Sequence, residues 1–186
     1  MTADLHLRKG RIFLTGFMGC GKSTIGPILA NSIGYQFADL DRLIEERNGR
    51  SVRRIFQDEG EVFFRSEELA VLEELATRDK MVVALGGGTL AEPAAFESII
   101  RSGILIYLKV PPDELLKRLQ YKTDRPLLTD ENGNRLPEDA LRERMMGLFR
   151  RREPLYERAD VIVLADEQRL GLTVDHLVRM LMPVLK

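Results

Sequence analysis

The chain has 186 residues, 44% of them hydrophobic and 31% charged, with a formal net charge of -1. That length supports one substantial core rather than two independent domains. The composition excludes wholesale disorder, and the near-neutral charge implies no broad basic surface for nucleic acid.

The single cysteine, Cys20, excludes an internal disulfide, and the two histidines, His6 and His176, lie too far apart in sequence to form a metal motif. A reducing, cytoplasmic setting is expected. The first nine residues lack the apolar core of a signal peptide, and no stretch approaches the ~18 continuous apolar residues of a membrane span. Neither a membrane nor a nucleic acid is an expected partner. A patch-free composition favours a monomer.

A strand is predicted over residues 11–15, followed by Gly16-Phe17-Met18-Gly19-Cys20-Gly21-Lys22-Ser23-Thr24 and a helical pattern. This is the P-loop spacing G-x-x-x-x-G-K-[ST] between a strand and a helix, the context that gives the motif its meaning. Glycines let the backbone turn its N–H groups inward, and the helix start adds a positive end, so Gly19, Cys20, Gly21, Lys22, Ser23 and Thr24 form a predicted triphosphate cradle. Lys22 supplies a charge for the outer phosphates, and the Ser23 hydroxyl is a candidate Mg²⁺ ligand. The bland alternative is a glycine-rich turn with an incidental lysine. Cys20 reads as a small loop-filling residue, against the alternative of a thiol activated by a helix start.

Beyond it, Ile25, Ile28, Leu29 and Ile33 recur at helical spacing, with Gly34 placed to end the helix in a left-handed conformation. A second strand over 35–38 leads to Asp39 and Asp41, which share a face if the strand runs that far. The plain alternative has both carboxylates capping the next helix. Residues 41–48 are helical, Ser51 is placed to cap a helix through Phe56, and another runs from about 61 to 76 with Val62, Leu69, Leu72 and Leu75 inward. These consecutive helices suggest a substrate-binding lobe over about 41–78.

The continuous apolar run 81–85 has the look of a strand buried on both faces, and it stops at Gly86-Gly87-Gly88. Bare backbone at the C-terminal edge of a parallel sheet admits a substrate closely, so the triplet is a candidate site rather than only a flexible turn. A helix over 93–101, a strand over 104–108 and a helix from Pro111 carrying Leu115, Leu116 and Leu119 inward follow. Residues 121–137 are too polar and too broken by Asn, Gly and Pro for a regular element; a loop of this length is usually functional. A helix from 138 to about 156 carries Leu141, Met145, Leu148 and Phe149, a short strand covers 161–164, and Thr173 is placed to cap a final helix bearing Val174, Leu177, Val178, Leu181 and Leu185. Alternating strands and helices led by a P-loop give an α/β class: a three-layer fold with a five-stranded parallel sheet in a single domain spanning 1–186.

Taken in order, Gly16-Phe17-Met18-Gly19-x-Gly21-Lys22-Ser23-Thr24, Phe37-x-Asp39-x-Asp41, Phe64-Arg65-x-x-Glu68, the glycine triplet, Arg125-Pro126-Leu127-Leu128 and Arg152-x-Pro154-Leu155-Tyr156 resemble shikimate kinase. That family is a small P-loop kinase of the nucleoside monophosphate kinase structural group. The resemblance spans nearly the whole chain. It implies transfer of the γ-phosphoryl of ATP to the 3-hydroxyl of shikimate, giving shikimate 3-phosphate and ADP on the way to chorismate and the aromatic amino acids. It further implies that Arg65 and Arg152 clamp the acceptor's carboxylate, a task for forked guanidinium donors. Asp41 orients or deprotonates the attacking hydroxyl, and Gly86, Gly87 and Gly88 add backbone contacts. By the same resemblance Asp39 lies near Mg²⁺, Arg125 sits on a lid closing over the phosphates, and Arg118 and Arg169 flank the adenine. The segment after Leu128 is longer than the compact lids of the family.

Taken singly, Arg65 and Arg152 are more often solvated or ion-paired surface residues than ligand contacts. Glu68 is expected to be a structural partner of an arginine. Two rival functions stand beside the first: another small-molecule kinase, for gluconate or a nucleoside monophosphate, and a nucleotide-binding module without catalysis. The lobe has no evident base-stacking groups, which weighs against a nucleotide acceptor, and no member of the Lys22, Ser23, Asp41 and Arg125 set is missing.

Overall fold

A computed structural model of the chain describes residues 10–119, 136–165 and 170–185. Five strands form one parallel sheet: β1 (Arg11–Thr15), β2 (Gln36–Asp39), β3 (Met81–Ala84), β4 (Ile104–Lys109) and β5 (Val161–Leu164), in the order β2-β3-β1-β4-β5. β1 is central, pairing Leu14 with Ala84 of β3 and Thr15 with Tyr107 of β4. The apolar runs of β1, β3 and β4 are buried because helices cover both faces of such a sheet.

Among the described residues eight α-helices flank the sheet: α1 (Lys22–Ile33), α2 (Leu40–Asn48), α3 (Val52–Asp58), α4 (Gly60–Thr77), α5 (Pro93–Ser102), α6 (Pro112–Leu119), α7 (Glu138–Tyr156) and α8 (Leu170–Leu185). The β1–α1–β2 crossover runs one way across the sheet and β3–α5–β4 the other. With right-handed crossovers this puts α1 on one face and α5 on the opposite one. α8 returns to pack on α1, and α4 packs on α5. The reversal of direction opens a crevice at the C-terminal ends of β1 and β3, where ligands bind in sheets of this kind. Among the described residues no helix is long and apolar enough to cross a membrane.

Two local expectations, the inward placing of Val62 and the capping role of Thr173, are corrected, and the points left open at Asp41 and Ile28 are decided. β2 ends at Asp39, which is extended (φ -107°), and the chain turns into α2 at Leu40, so Asp41 stands in the first turn of a helix rather than on a strand face. Ile28 is 41% exposed, because the buried stripe of α1 is Ile25, Gly26, Leu29 and Ala30. Val62 is 86% exposed, because α4 buries Phe64, Glu68, Val71, Leu72 and Leu75, a 3.6-residue progression that leaves position 62 outside. Thr173 caps nothing: α8 begins at Leu170, and Thr173 is a buried residue within it. Gly34 does close α1 in the left-handed conformation, at φ 72°. Arg125, Arg169 and the proposed lid, apart from Leu136 and Pro137, lie outside the described residues.

Candidate active site

The loop after β1 is built on backbone that only glycine adopts readily. Gly21, at φ 100°, precedes the first residue of α1, and Gly16, at φ 141°, leaves no space for a side chain: a Cβ there would stand 2.7 Å from the Leu108 carbonyl oxygen and 2.8 Å from Cys20 Sγ. The leading N–H groups of α1, at Lys22 and Ser23, have no helical carbonyl ahead of them, which makes this end of the helix an anion site. Lys22 Nζ bends back over the loop, donating to the Gly16 carbonyl at 2.7 Å and the Phe17 carbonyl at 3.4 Å. Its charge is held at the mouth of the cradle.

Ser23 Oγ donates to Asp39 Oδ2 at 2.9 Å, and Asp39 Oδ1 lies 3.4 Å from the Arg42 amide at the start of α2. Asp39 therefore caps its own helix and reaches the P-loop hydroxyl. The Ser23 hydroxyl and the Asp39 carboxylate are hard oxygen donors of the kind that suits Mg²⁺. From α6, Arg118 Nη1 donates to the Gly19 carbonyl at 3.2 Å, bringing a second cation onto the loop. Thr24 is exposed beside Ser23, while Cys20 is buried and its amide donates to the Phe17 carbonyl at 3.1 Å. The Cys20 thiol thus packs behind the cradle.

At the end of β3 the glycine triplet lies under a cluster of charged side chains. A Cβ on Gly86 would stand 2.8 Å from Asp41 Oδ1 and 3.1 Å from Glu68 Oε1; one on Gly87, 2.9 Å from Arg152 Nη1; one on Gly88, 2.8 Å from Arg65 Nη2 and 3.4 Å from Arg152 Nη2. Three elements far apart in sequence, α2, α4 and α7, thereby bring Asp41, Arg65 and Arg152 to one strip of bare backbone. Any side chain in the triplet would collide with them. The absence of a Cβ at all three positions is the condition for this convergence.

Arg65 Nη1 donates to Glu68 Oε2 at 2.7 Å, as expected of a structural partner, and Nη2 to Glu61 at 3.1 Å. Burial alone would lower the pKa of Arg65, but the Glu68 and Glu61 carboxylates more than offset it, so the guanidinium is held firmly cationic. Arg152 is oriented differently. It lies near the phenol of Tyr156, one helical turn on, and that hydroxyl donates to the Gly87 carbonyl at 2.7 Å. Burial raises the Tyr156 pKa and Arg152 opposes the rise, leaving the phenol protonated as the donor this contact needs.

Sequence reasoning did not assign site contacts to Thr89, Tyr156 or Glu61. Tyr156 lay in a quoted motif, i+4 from Arg152, a spacing that puts two side chains on one helix face, and Glu61 stands i-4 from Arg65 in the same way. For Thr89 the only signal was its place directly after the triplet.

Backbone built to hold phosphate at the end of β1, beside a cationic pocket with a carboxylate at the end of β3, is the arrangement of a P-loop phosphotransferase acting on a small anionic acceptor. The family model for shikimate kinase matches residues 18–182. A shikimate kinase of Chlorobium chlorochromatii (strain CaD3) is 52% identical over 168 residues, 90% of this chain and 88% of the relative. Among solved structures, shikimate kinase from Bacteroides thetaiotaomicron superposes with a TM-score of 0.85 at 34% identity, covering 93% of this chain and 98% of that one. Shikimate kinase from Acinetobacter baumannii, in complex with shikimate, superposes with a TM-score of 0.82 at 34% identity, covering 97% of each chain. The chain belongs to the shikimate kinase family, kinases that phosphorylate shikimate using ATP.

Proposed function

We propose that the chain transfers the γ-phosphoryl of ATP to the 3-hydroxyl of shikimate in the crevice between the ends of β1 and β3. The observation that carries this is the meeting of the Arg65 and Arg152 guanidinium groups with the Asp41 carboxylate over Gly86, Gly87 and Gly88. An acceptor with one carboxylate and several hydroxyls needs fixed cations at one end and an acceptor of hydrogen bonds at the other. The two arginines hold the acid by forked, charge-assisted hydrogen bonds. Asp41 takes the proton of the attacking hydroxyl or aligns it, and the triplet lets the ring approach the backbone.

On the nucleotide side, the P-loop amides and Lys22 hold the outer phosphates and stabilise charge that builds on them during transfer. Ser23 and Asp39 would hold Mg²⁺, which would supply electrostatic neutralisation of the phosphate oxygens. Arg118 and Arg169 flank the adenine, and Arg125 closes over the phosphates from a lid spanning about 121–137, excluding water that would waste ATP. The helices over about 41–78 are the acceptor-binding lobe of one domain. The enzyme acts as a cytoplasmic monomer.

A coupled ADP-release assay over a panel of hydroxy acids tests the acceptor. Turnover with shikimate and little with gluconate is expected. ADP release with gluconate and none with shikimate rejects the assignment.

A further inference from the structure

Among the described residues Glu68 is the only carboxylate buried to 1% exposure. Removing a carboxylate from water is costly unless each oxygen is paired, so its partners define where it points. Oε2 accepts a hydrogen bond from Arg65 Nη1 at 2.7 Å, and Oε1 accepts one from Thr89 Oγ1 at 2.6 Å. The second distance is in the short range of a hydroxyl donating to an ionised carboxylate, and Thr89 is wholly buried, so water does not compete for either group.

Thr89 is itself held by the loop it follows. It opens a 3-10 turn directly after Gly88, its amide donates to the Gly86 carbonyl at 3.3 Å, and its hydroxyl lies 3.1 Å from the same carbonyl. Its one hydroxyl proton goes to the closer and charged partner. The other carboxylates near Arg65 are poorer anchors: Glu61 has a side chain 66% exposed, and Glu92 stands 3.9 Å from Nε. Only Glu68 fixes the guanidinium from within the core.

We propose that Thr89 is a positioning residue for acceptor binding: its hydroxyl locks the Glu68 carboxylate, which sets the angle at which Arg65 presents its free N–H groups to the acceptor's carboxylate. Thr89 does not touch the acceptor. The inference rests on the reading of Arg65 as a carboxylate ligand.

Steady-state kinetics on full-length Thr89→Val and Thr89→Ser test it. Val keeps the shape and removes the hydroxyl, so KM for shikimate is expected to rise on the order of tenfold while KM for ATP stays within about twofold. Ser restores the donor and is expected within about threefold of the parent. In an Arg65→Lys background, Thr89→Val is expected to add no more than about twofold, because both changes act on one contact.

Where the parent turns over shikimate, a parent-like KM for shikimate in Thr89→Val, a parallel rise in both KM values, or Ser as impaired as Val overturns the role of Thr89 alone. A parent that does not turn over shikimate overturns the acceptor reading and this inference with it. Should Thr89→Val fail to fold, Thr89→Ala removes the same hydrogen bond with less bulk and carries the same expectation.

Discussion

Asp41 is the residue on which chemistry and binding divide most cleanly. It stands in the first turn of α2, with Oδ1 over Gly86, on the side of the crevice proposed for the acceptor and apart from the P-loop contacts of Lys22 and Ser23. Asn keeps the shape but cannot accept a proton. Asp41→Asn is expected to lower kcat by roughly 10²–10⁴-fold while nucleotide affinity, measured by titration calorimetry with a non-hydrolysable ATP analogue, stays at the parent value. Near-normal turnover in this variant removes Asp41 from the chemistry. Arg152 poses a different question, because the contribution proposed for it is geometric. Lys keeps the charge but lacks the fork that can meet a carboxylate with two parallel N–H bonds. Arg152→Lys is expected to raise KM for shikimate by about tenfold or more with KM for ATP unchanged. Equal KM values for parent and variant show that charge alone suffices.

At the scale of elements, close packing is set by glycines whose need is space rather than torsion. Gly103, between α5 and β4, has an extended φ of -159° that any residue adopts, yet a Cβ there would lie 2.7 Å from the Arg11 carbonyl oxygen and 2.5 Å from the Phe13 ring. Backbone cannot swing aside as a side-chain tip can. Gly103→Ala is expected to destabilise the fold by about 1–3 kcal/mol through overpacking. Gly147, in α7, has nothing within 4 Å of its absent Cβ, so Gly147→Ala is expected to stabilise by about 0.5–1 kcal/mol through helix propensity and a less flexible unfolded chain. Chemical denaturation of both variants checks the pair; the same chemical change should move the midpoint in opposite directions.

The stability of the whole molecule should report on two phenols packed between α7 and β4. Tyr107 and Tyr156 are both buried, their ring centroids are 5.3 Å apart, and burial raises the pKa of each above the 10.0 of an exposed tyrosine. Below pH 10 both phenols are protonated in the folded and unfolded chains, and their contribution is constant. As pH rises through 10 the unfolded chain loses these protons while the folded one retains them, so stability falls. The loss approaches about 1.4 kcal/mol per pH unit per phenol until the folded pKa is reached. Urea midpoints between pH 8 and 11 should therefore be flat and then decline, and Tyr107→Phe should decline less steeply. An identical slope in that variant shows that the phenol is not responsible. Lys109, whose pKa is raised by the Glu157 and Glu153 carboxylates, adds a loss of the same sign over the same alkaline window.

Much of this architecture was legible in the chain itself, because periodicity and punctuation are local. Residues 12–14, 81–85 and 104–108 are continuous apolar runs bounded by polar or glycine residues, and they make the strands the sheet buries. The P-loop is local too, since a strand, four spacer residues and a helix start suffice to build the cradle. What adjacency could not supply was orientation. Val62 and Glu68 both lie on α4, and only packing against the rest of the core decides that the valine is exposed while the glutamate is buried against Arg65 and Thr89. Asp39 reads equally well as a cap or a site residue until Ser23 is brought to 2.9 Å by the pairing of β2 beside β3 and the course of α1. The sequence by itself determined the strand order's raw material and the chemical types at each candidate position. Tertiary structure alone decided which of those charges share a pocket, because convergence depends on crossover direction and on the missing Cβ atoms of Gly86, Gly87 and Gly88, neither of which is a property of neighbouring residues.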